Sequence, residues 1–216
     1  MSDFKTLIAR RVAKEFKDGD VVNLGIGLPT LVADYIPDDI DLRFYSDNGC
    51  RGPGGAPAEG DIDPYLIDAG GTFATVGKNC AFFDSALSFA IARGGHLDVC
   101  VLGALQVDSS GNIANWCVPG KKIPGMGGAM DLVVGSKRVI IAMEHTLRGQ
   151  PKLMENCTLP LTAINAVNRI VTQMGVIDVT ENGFLLVEYN PEYTVEEIKA
   201  ATAAPLAVSP DLKPMI

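Results

Sequence analysis

The stretch FYSDNGCRGPGGAP, residues 44–57, joins an apolar run to a carboxylate, an amide and a tail rich in glycine and proline. Asp-Asn-Gly is a strong turn signal, because Asp and Asn side chains bond nearby backbone and Gly accepts positive φ. Asp47 therefore has two local readings. It is either the first residue of a turn, or a carboxylate held out at a strand end to act as nucleophile or base. Two other glycine-dense stretches invite chemistry. GIGLP, residues 25–29, follows an apolar run, but Thr30 stands where a dinucleotide fingerprint needs its third glycine. GMGGAMD, residues 125–131, suits backbone N–H groups aimed at an anion, and equally an ordinary loop. His96 and His145 lie far apart with no ligand spacing around either, which reads as structural histidines rather than a metal site. Trp116 reads as a packing anchor.

Such loops act when an α/β sheet gathers them at the carboxyl ends of its strands. The periodicity supplies a sheet of that kind. Phe4, Leu7, Ile8, Val12 and Phe16 share a helical face, with Ser2 or Asp3 as cap and Gly19 as stop. VVNLGIGLPT is an apolar strand entering a glycine turn, with a new helix of about two turns expected at Pro29. DLRFYS is the next strand, ending at the Asp47 loop. GTFATV reads as a short strand, FFDSALSFAIARGG as a helix and LDVCVLGALQV as one buried strand. A long connection over residues 108–128 follows, then the strand RVIIAMEH and a helix in TAINAVNRIVTQMG. VIDVT and GFLLVEY form an antiparallel pair about Glu181-Asn182-Gly183. TVEEIKAATA opens a helix with Thr194 and Glu197 at capping-box spacing. The alternation implies an α/β fold with a largely parallel sheet, helices on both faces and an antiparallel edge.

Composition narrows the function. The chain has 216 residues, is 47% hydrophobic and carries a net charge of −8, so it can bury a large core but lacks the basic face that nucleic acid requires. The basic pairs Arg10-Arg11 and Lys121-Lys122 are too small to change that. Five widely spaced cysteines without a C-x-x-C pair favour reduced thiols in a cytoplasmic protein. The charged N-terminal stretch has no signal-peptide core, and no apolar run is long enough to span a bilayer.

Taken together and in order, the segments resemble the B-type (beta) subunit, or the corresponding half, of the class I CoA-transferases that act on 3-oxoacids, acetoacetate and butyrate. The resemblance rests on VNLGIGLPTLVADYIP, the S-x-NG turn with its glycines and prolines, RGGHLDVCVLGALQVDSSGNIANW, PGKKIPGMGGAMDLV, MEHT, KLMENCTLPLT and AVSPDLKPM, which are collinear and span nearly the whole chain. It implies a three-layer α/β/α Rossmann-like sandwich with a mostly parallel, mixed sheet, forming one B-type domain over residues 1–216. It also implies a companion A-type subunit that supplies much of the CoA pocket and part of the oxyanion hole, in a heterotetramer with two copies of each type. The family nucleophile is a glutamate in SENG; that position here is Asp47, in SDNG. By the same resemblance Asn48 and Gly49 complete the nucleophile turn, Gly25, Ile26, Gly27 and Gly127 line the substrate and CoA site, and the N–H of Gly128 is the oxyanion donor contributed by this chain. Coenzyme A is then a substrate, and no metal or organic cofactor is expected.

The departures matter as much. Aspartate is one methylene short, which sets the carboxylate back by roughly 1 Å, a displacement that can cost about 10²-fold in rate. Cys50 and Arg51 stand where the family commonly has apolar residues, and Pro53 sits between Gly52 and Gly54. A loop shift restores the reach and gives a transferase. Alternatively Asp47 acts as general base on a water in the vacated space, giving an acyl-CoA hydrolase. A non-catalytic ligand-sensing domain is the reading from another class, since related folds serve as effector modules. Arg51 either selects a dicarboxylic substrate or is an exposed loop residue.

Overall fold

Strand β5 (Leu97–Leu102) is apolar on both faces, and that decides where it lies. Val99 and Val101 enter one cluster of buried side chains, Cys100 and Leu102 the other. A strand of this kind needs a covering layer on each side. In the computed structural model, which describes residues 4–121, 123 and 125–215 and only the backbone of Lys78, β5 sits at the centre of a ten-stranded sheet. On one side of it comes β1 (Val21–Leu24), then β2 (Arg43–Ser46); on the other β8 (Ser136–Ala142), then β12 (Arg169–Val171). These five strands are all parallel. Beyond β2 the sheet continues antiparallel through β3 (Cys50–Pro53) and β4 (Val76–Phe82). Beyond β12 it continues through β13 (Gly175–Thr180) and β14 (Gly183–Tyr189), and β15 (Leu206–Pro214) closes that edge parallel to β14.

Helix α1 (Phe4–Ala13) and a 3-10 helix (Leu28–Tyr35) cover one face, with Ile8, Val12 and Phe16 packed in the cluster that holds Val99, Val101 and Ile140. On the other face α2 (Ser85–Arg93) and α3 (Ala129–Gly135) share a cluster with Cys100, Val139 and Ile141. That cluster extends under a small sheet of β6 (Gln106–Asp108), β7 (Ile113–Ala114) and β11 (Leu153–Met154), and takes in Ile198 of α4 (Val195–Ala200). Strands β9 (Thr146–Leu147) and β10 (Gln150–Pro151) form a separate hairpin. The three-layer α/β/α arrangement with a mostly parallel, mixed sheet is as expected. No helix among the described residues is long and apolar enough to cross a membrane.

Several elements depart from the periodicity. Residues 162–175 carry no helix; they hold irregular chain and then β12. Thr162 Oγ1 donates to Asn115 Oδ1 at 2.6 Å, Asn168 Oδ1 accepts the Val139 N–H at 2.7 Å, and Asn165 sits at φ 49°. Side chains that would fill helical turns here brace neighbouring strands, and Ile170 and Val171 then pair in the sheet. GTFATV is not a strand either. Asp68 Oδ1 accepts from the N–H groups of Gly70 and Thr72, folding that segment into a turn, and the strand begins at Val76. LDVCVLGALQV breaks after Leu102 into β5 and β6, which belong to different sheets. Helix α3 lies where the pattern suggests only loop and strand, α1 ends at Ala13, and the turn after Pro29 is 3-10. The caps expected at Ser2 or Asp3 lie outside the described residues. The β13–β14 pair and the Thr194–Glu197 capping box form as expected.

The α1 face is tied to the sheet by charge as well as by packing. Arg11, only 6% exposed, donates to both carboxylate oxygens of Glu188 on β14, at 2.5 and 3.0 Å, and to Glu15 at 2.7 Å. Glu15 also receives Arg138 of β8 and Arg169 of β12, each at 2.7 Å. Burial works against the Glu15 charge, but the guanidiniums of Arg169 and Arg11 outweigh it and hold its pKa below the ordinary 4.5. A carboxylate with a depressed folded pKa adds stability above its unfolded pKa and loses it as the pH falls through the folded value. Arg11→Met should leave the buried Glu188 carboxylate with only the longer contact to Lys213, at 3.5 Å, and cost about 3–5 kcal/mol in urea denaturation. Its penalty should shrink as the pH falls below about 4.5, because Glu15 then takes up its proton and the network loses its central charge. A loss under about 1 kcal/mol at neutral pH would mean the network contributes no more than surface pairs do.

Candidate active site

Strands β5, β1 and β2 are successive neighbours in the sheet and run parallel, so their carboxyl ends open on one place. A cavity of about 470 Å³ lies there. Asn23 to Ile26 reach it from β1, Asp47 from the end of β2, and Leu102 to Leu105 from β5. Met126, Gly127 and Gly128 approach from the turn before α3. The three glycine-dense stretches therefore converge at the strand ends of this sheet. Of the residues singled out from the sequence, Asp47, Gly25, Ile26, Gly127 and Gly128 line the cavity. Gly27, Asn48 and Gly49 do not. Asn48 and Gly49 instead build the hairpin that carries Asp47: Asn48 Nδ2 donates to the Ile67 carbonyl at 2.8 Å, and the Gly49 N–H donates to Ser46 O at 3.0 Å. Gly49 has φ +106° and would drive any Cβ into the Phe83 carbonyl, so the turn requires glycine there.

The hairpin is held by groups that no local motif announced. Ser88 of α2, fully buried, donates from Oγ to the Asp47 carbonyl at 2.8 Å. Tyr45 Oη donates to the Ser88 carbonyl at 2.7 Å and lies 2.6 Å from Ser88 Oγ. Asn23 Nδ2 donates to the Tyr45 carbonyl at 3.1 Å. Asp47 is thus fixed through its main chain while its carboxylate stays free to face the cavity. The start of α2 was legible from Asp84, which caps it by accepting the Leu87 N–H. That Ser88 would point back to the Asp47 hairpin was not, because the contact spans 41 residues.

Burial raises the pKa of the Asp47 carboxyl, and its own backbone N–H pulls weakly the other way. Among the described residues no cation pairs with it. A carboxylate that is short of solvent and short of a counter-ion is more basic and more nucleophilic than one in water. It rests on Gly128: a Cβ built there would collide with Asp47 Oδ2 and would lie 2.9 Å from Phe89 Cε1. Gly128 itself has φ −83°, so its requirement for glycine is steric and not conformational.

The unusual residues behind the turn lie off the cavity. The Cys50 side chain is buried with its sulfur 3.3 Å from that of Cys80, and burial beside this second thiol pushes its pKa up to about 12. Arg51 lines a separate cavity of about 420 Å³ with Asp41, Arg43 and Asn79. His145 is fully buried between the hydroxyls of Thr172 and Thr202, at 3.0 and 2.9 Å, and burial lowers its pKa to about 4. It is a structural histidine. Trp116 donates to the Leu161 carbonyl at 3.2 Å. No group of side chains suited to a metal ion occurs among the described residues.

Comparison with known proteins matches residues 5–201 to the family described as Coenzyme A transferase. The beta subunit of the acetate CoA-transferase of Haemophilus influenzae is 50% identical over 212 residues, covering 98% of this chain and 95% of that one. A chain of Bacillus subtilis, the B-type subunit of a probable succinyl-CoA:3-ketoacid coenzyme A transferase, is 44% identical over 210 residues, 97% of each. Among solved structures, an acyl-CoA transferase apoenzyme from Escherichia coli superposes with a TM-score of 0.77 at 24% identity. It covers 99% of this chain, which spans 43% of that longer polypeptide, and it speaks for the fold alone.

Gly128→Ala should therefore displace the Asp47 carboxylate. The expected result is a drop of at least about 10²-fold in turnover of an acyl-CoA, with a stability loss of no more than about 1–3 kcal/mol from overpacking. Wild-type turnover in a folded Gly128→Ala protein would remove this contact from the chemistry.

Proposed function

Because the chain belongs to the Coenzyme A transferase family, we propose that it is the B-type subunit of an enzyme that moves CoA from a short-chain or 3-oxo acyl-CoA to a carboxylic acid, with Asp47 as nucleophile. The observation that carries this reading is the Asp47 carboxylate itself, desolvated, paired with no cation among the described residues and seated against Gly128 in a cavity at the strand ends. One oxygen of Asp47 attacks the thioester carbonyl, and the tetrahedral oxyanion collapses by expelling CoA thiolate, leaving an acyl–aspartyl anhydride. The thiolate then attacks the aspartyl carbonyl and the first acid departs as carboxylate, so the CoA thioester now sits on Asp47. A second carboxylate attacks that thioester, and the same two steps in reverse release the new acyl-CoA. The kinetics are ping-pong, and the thioester energy is kept throughout.

Each addition develops an oxyanion. Backbone N–H groups preorganised toward it contribute about 3–4 kcal/mol apiece, and the Gly127–Gly128 turn is this chain's candidate donor. The raised pKa serves the attack, since a poorly solvated carboxylate gives up less hydration on the way to the transition state. The chemistry needs no metal or organic cofactor.

A companion chain of the A type completes the site in this reading, in a cytoplasmic heterotetramer with two copies of each type. Supporting the companion, the segment that crosses beside the Asp47 hairpin leaves Ile62, Tyr65, Ile67 and Phe73 exposed, Tyr65 at 94%, and Ile26 at the cavity edge is 72% exposed. Apolar side chains gathered at a site mouth are characteristic of a surface that another chain covers. The five free thiols fit a reducing compartment. The chain expressed by itself should show no measurable transfer, with activity appearing when its companion is added; full activity from the isolated, monodisperse chain would remove the companion from the mechanism.

Nucleophile and base leave different covalent histories on the same side chain. With acyl-CoA and no acceptor acid, the assembled enzyme should accumulate an aspartyl-CoA thioester. Borohydride reduces it, and peptide mass spectrometry should place the change on Asp47. Asp47→Asn should abolish the adduct, and Asp47→Glu should raise transfer relative to hydrolysis by restoring the missing methylene. Steady release of free CoA by the wild type with no trapped adduct would instead make Asp47 a general base and the enzyme a hydrolase.

A further inference from the structure

Cys50 has no task in the transfer chemistry, yet it is the first residue past the turn that carries Asp47. Its sulfur lies 3.3 Å from that of Cys80 on the neighbouring strand β4. Cys50 pairs with Phe82 and Arg51 with Ala81, which leaves Cys80 diagonal to Cys50 and, in a regular ladder, too far for contact. The register then slips, so that Pro53 faces Val76 and β4 carries extra residues. Within that bulge Asn79 takes φ 62°, and Gly52 across from it takes φ 75°. A bulge of this kind bends its strand and re-aims the side chains beside it, which brings the two sulfurs together. The remaining thiols stand singly. Cys100 donates to Asn23 Oδ1 at 3.6 Å, Cys157 to the Asn112 carbonyl at 3.7 Å, and Cys117 is buried. Among the described residues no other two thiols are bonded to each other. Both strands of the dithiol also hold the Asp47 turn. Cys50 pairs with Ser46 across the β2–β3 hairpin, and the Phe83 N–H, just past β4, donates to the Gly49 carbonyl at 2.9 Å.

We propose that Cys50 and Cys80 are a redox-modification site, a dithiol that a hydroperoxide closes to a disulfide, which displaces the Asp47 turn and slows turnover until a reducing dithiol reopens it. The effect on turnover rests on the transferase reading above; the site itself does not. Exposure sets the order of events. Cys80 is part-exposed and Cys50 only 6% exposed, so the oxidant meets Cys80. The Cys80 sulfur, as thiolate, attacks one peroxide oxygen, the O–O bond breaks, and the departing oxygen takes up a proton and leaves as alcohol or water. Cys80 is then a sulfenic acid. The Cys50 sulfur attacks the Cys80 sulfur and expels hydroxide, which takes up the Cys50 proton as water. The two thiols have given up two electrons and two protons, and the peroxide has accepted both. Burial and the second thiol hold the Cys50 pKa at about 12, so Cys50 keeps its proton until this last step. The new bond must draw the sulfurs inside contact distance. That pull falls on the start of β3, and only Asn48 and Gly49 separate it from Asp47. In a reducing compartment such a bond is transient, which suits a sensing site and not a structural staple.

The test is limited oxidation of the assembled enzyme with hydrogen peroxide, followed by alkylation of the remaining thiols and peptide mass mapping. A link between Cys50 and Cys80 should appear, with Cys100, Cys117 and Cys157 alkylated. Turnover of an acyl-CoA should fall by at least about tenfold, since a displacement of about 1 Å at a nucleophile can cost 10²-fold. Dithiothreitol should restore it. Amide exchange in the peptide covering residues 44–53 should slow, because the bond restrains local opening. Cys80→Ser should keep the turnover of the untreated enzyme and lose both the link and the reversible inhibition. Oxidation that ends at sulfinic acid on Cys80, or a link through any other cysteine, would overturn the proposal. So would a link between Cys50 and Cys80 that leaves an active enzyme at full turnover, or equal inhibition of Cys80→Ser by peroxide. A link that forms and slows exchange at residues 44–53, in an assembly with no transfer activity, would sustain the site while removing the transferase reading.

Discussion

The arrangement at Asp47 depends on one hydrogen bond that α2 gives to the hairpin, from Ser88 Oγ to the Asp47 carbonyl. A carboxylate in an active site is usually positioned by bonds to its own oxygens, and each such bond lowers its basicity. Here the restraint acts on the main chain. Tyr45, Ser88 and Asn23 fix peptide groups on either side, and Gly49 closes the turn beneath. The carboxyl group is left with its reactivity intact. The absence of a side chain on Gly128 is the complementary condition, since any Cβ there would occupy the place where Asp47 Oδ2 lies.

Positioning and desolvation are thus supplied by different parts of the fold. The parallel strands β5, β1 and β2 bring the backbone turns together, and the helices α2 and α3 pack on one face, with Phe89 of α2 beside Gly128. Charge is kept at a distance from Asp47 and concentrated elsewhere. The ion network around Arg11 and Glu15 ties α1 to the far half of the sheet. Proximity of such cations to Asp47 would stabilise its anionic form and blunt its attack.

How much of this could be read from residues alone depended on the range of the interaction concerned. The Ser-Asp-Asn-Gly turn, the hairpin at Glu181-Asn182-Gly183 and the Thr194–Glu197 capping box are each specified within a few residues, and each forms as expected. The convergence of residues 25–29, the Asp47 turn and the Gly127–Gly128 turn was also legible, because a parallel sheet offers one end for such loops. The region of Thr162 to Gly175 misled for the opposite reason. Its apolar spacing fits a helix, but Asn165 and Asn168 find better partners on Asn112 and Val139, and Ile170 completes β12. The contributions of Tyr45 and Ser88 had no local signature. A tyrosine in a strand and a serine in an amphipathic helix are ordinary until the two elements meet.

The order of strands also has a consequence for how the chain comes into being. Val22 of β1 pairs with Val99 of β5, and Val99 pairs in turn with Arg138 of β8. During synthesis β1 and β2 leave the ribosome well before the strand that separates them from the rest of the sheet, and β5 emerges before its own second neighbour. Until then their apolar faces and unpaired edges are exposed, a state open to mispairing with other nascent chains. Parallel pairing at such separation is slow because loop closure precedes the gain from burial. The site itself cannot exist in a product that stops short of α3, since the strand ends meet only when β5 arrives and Gly127 and Gly128 follow it.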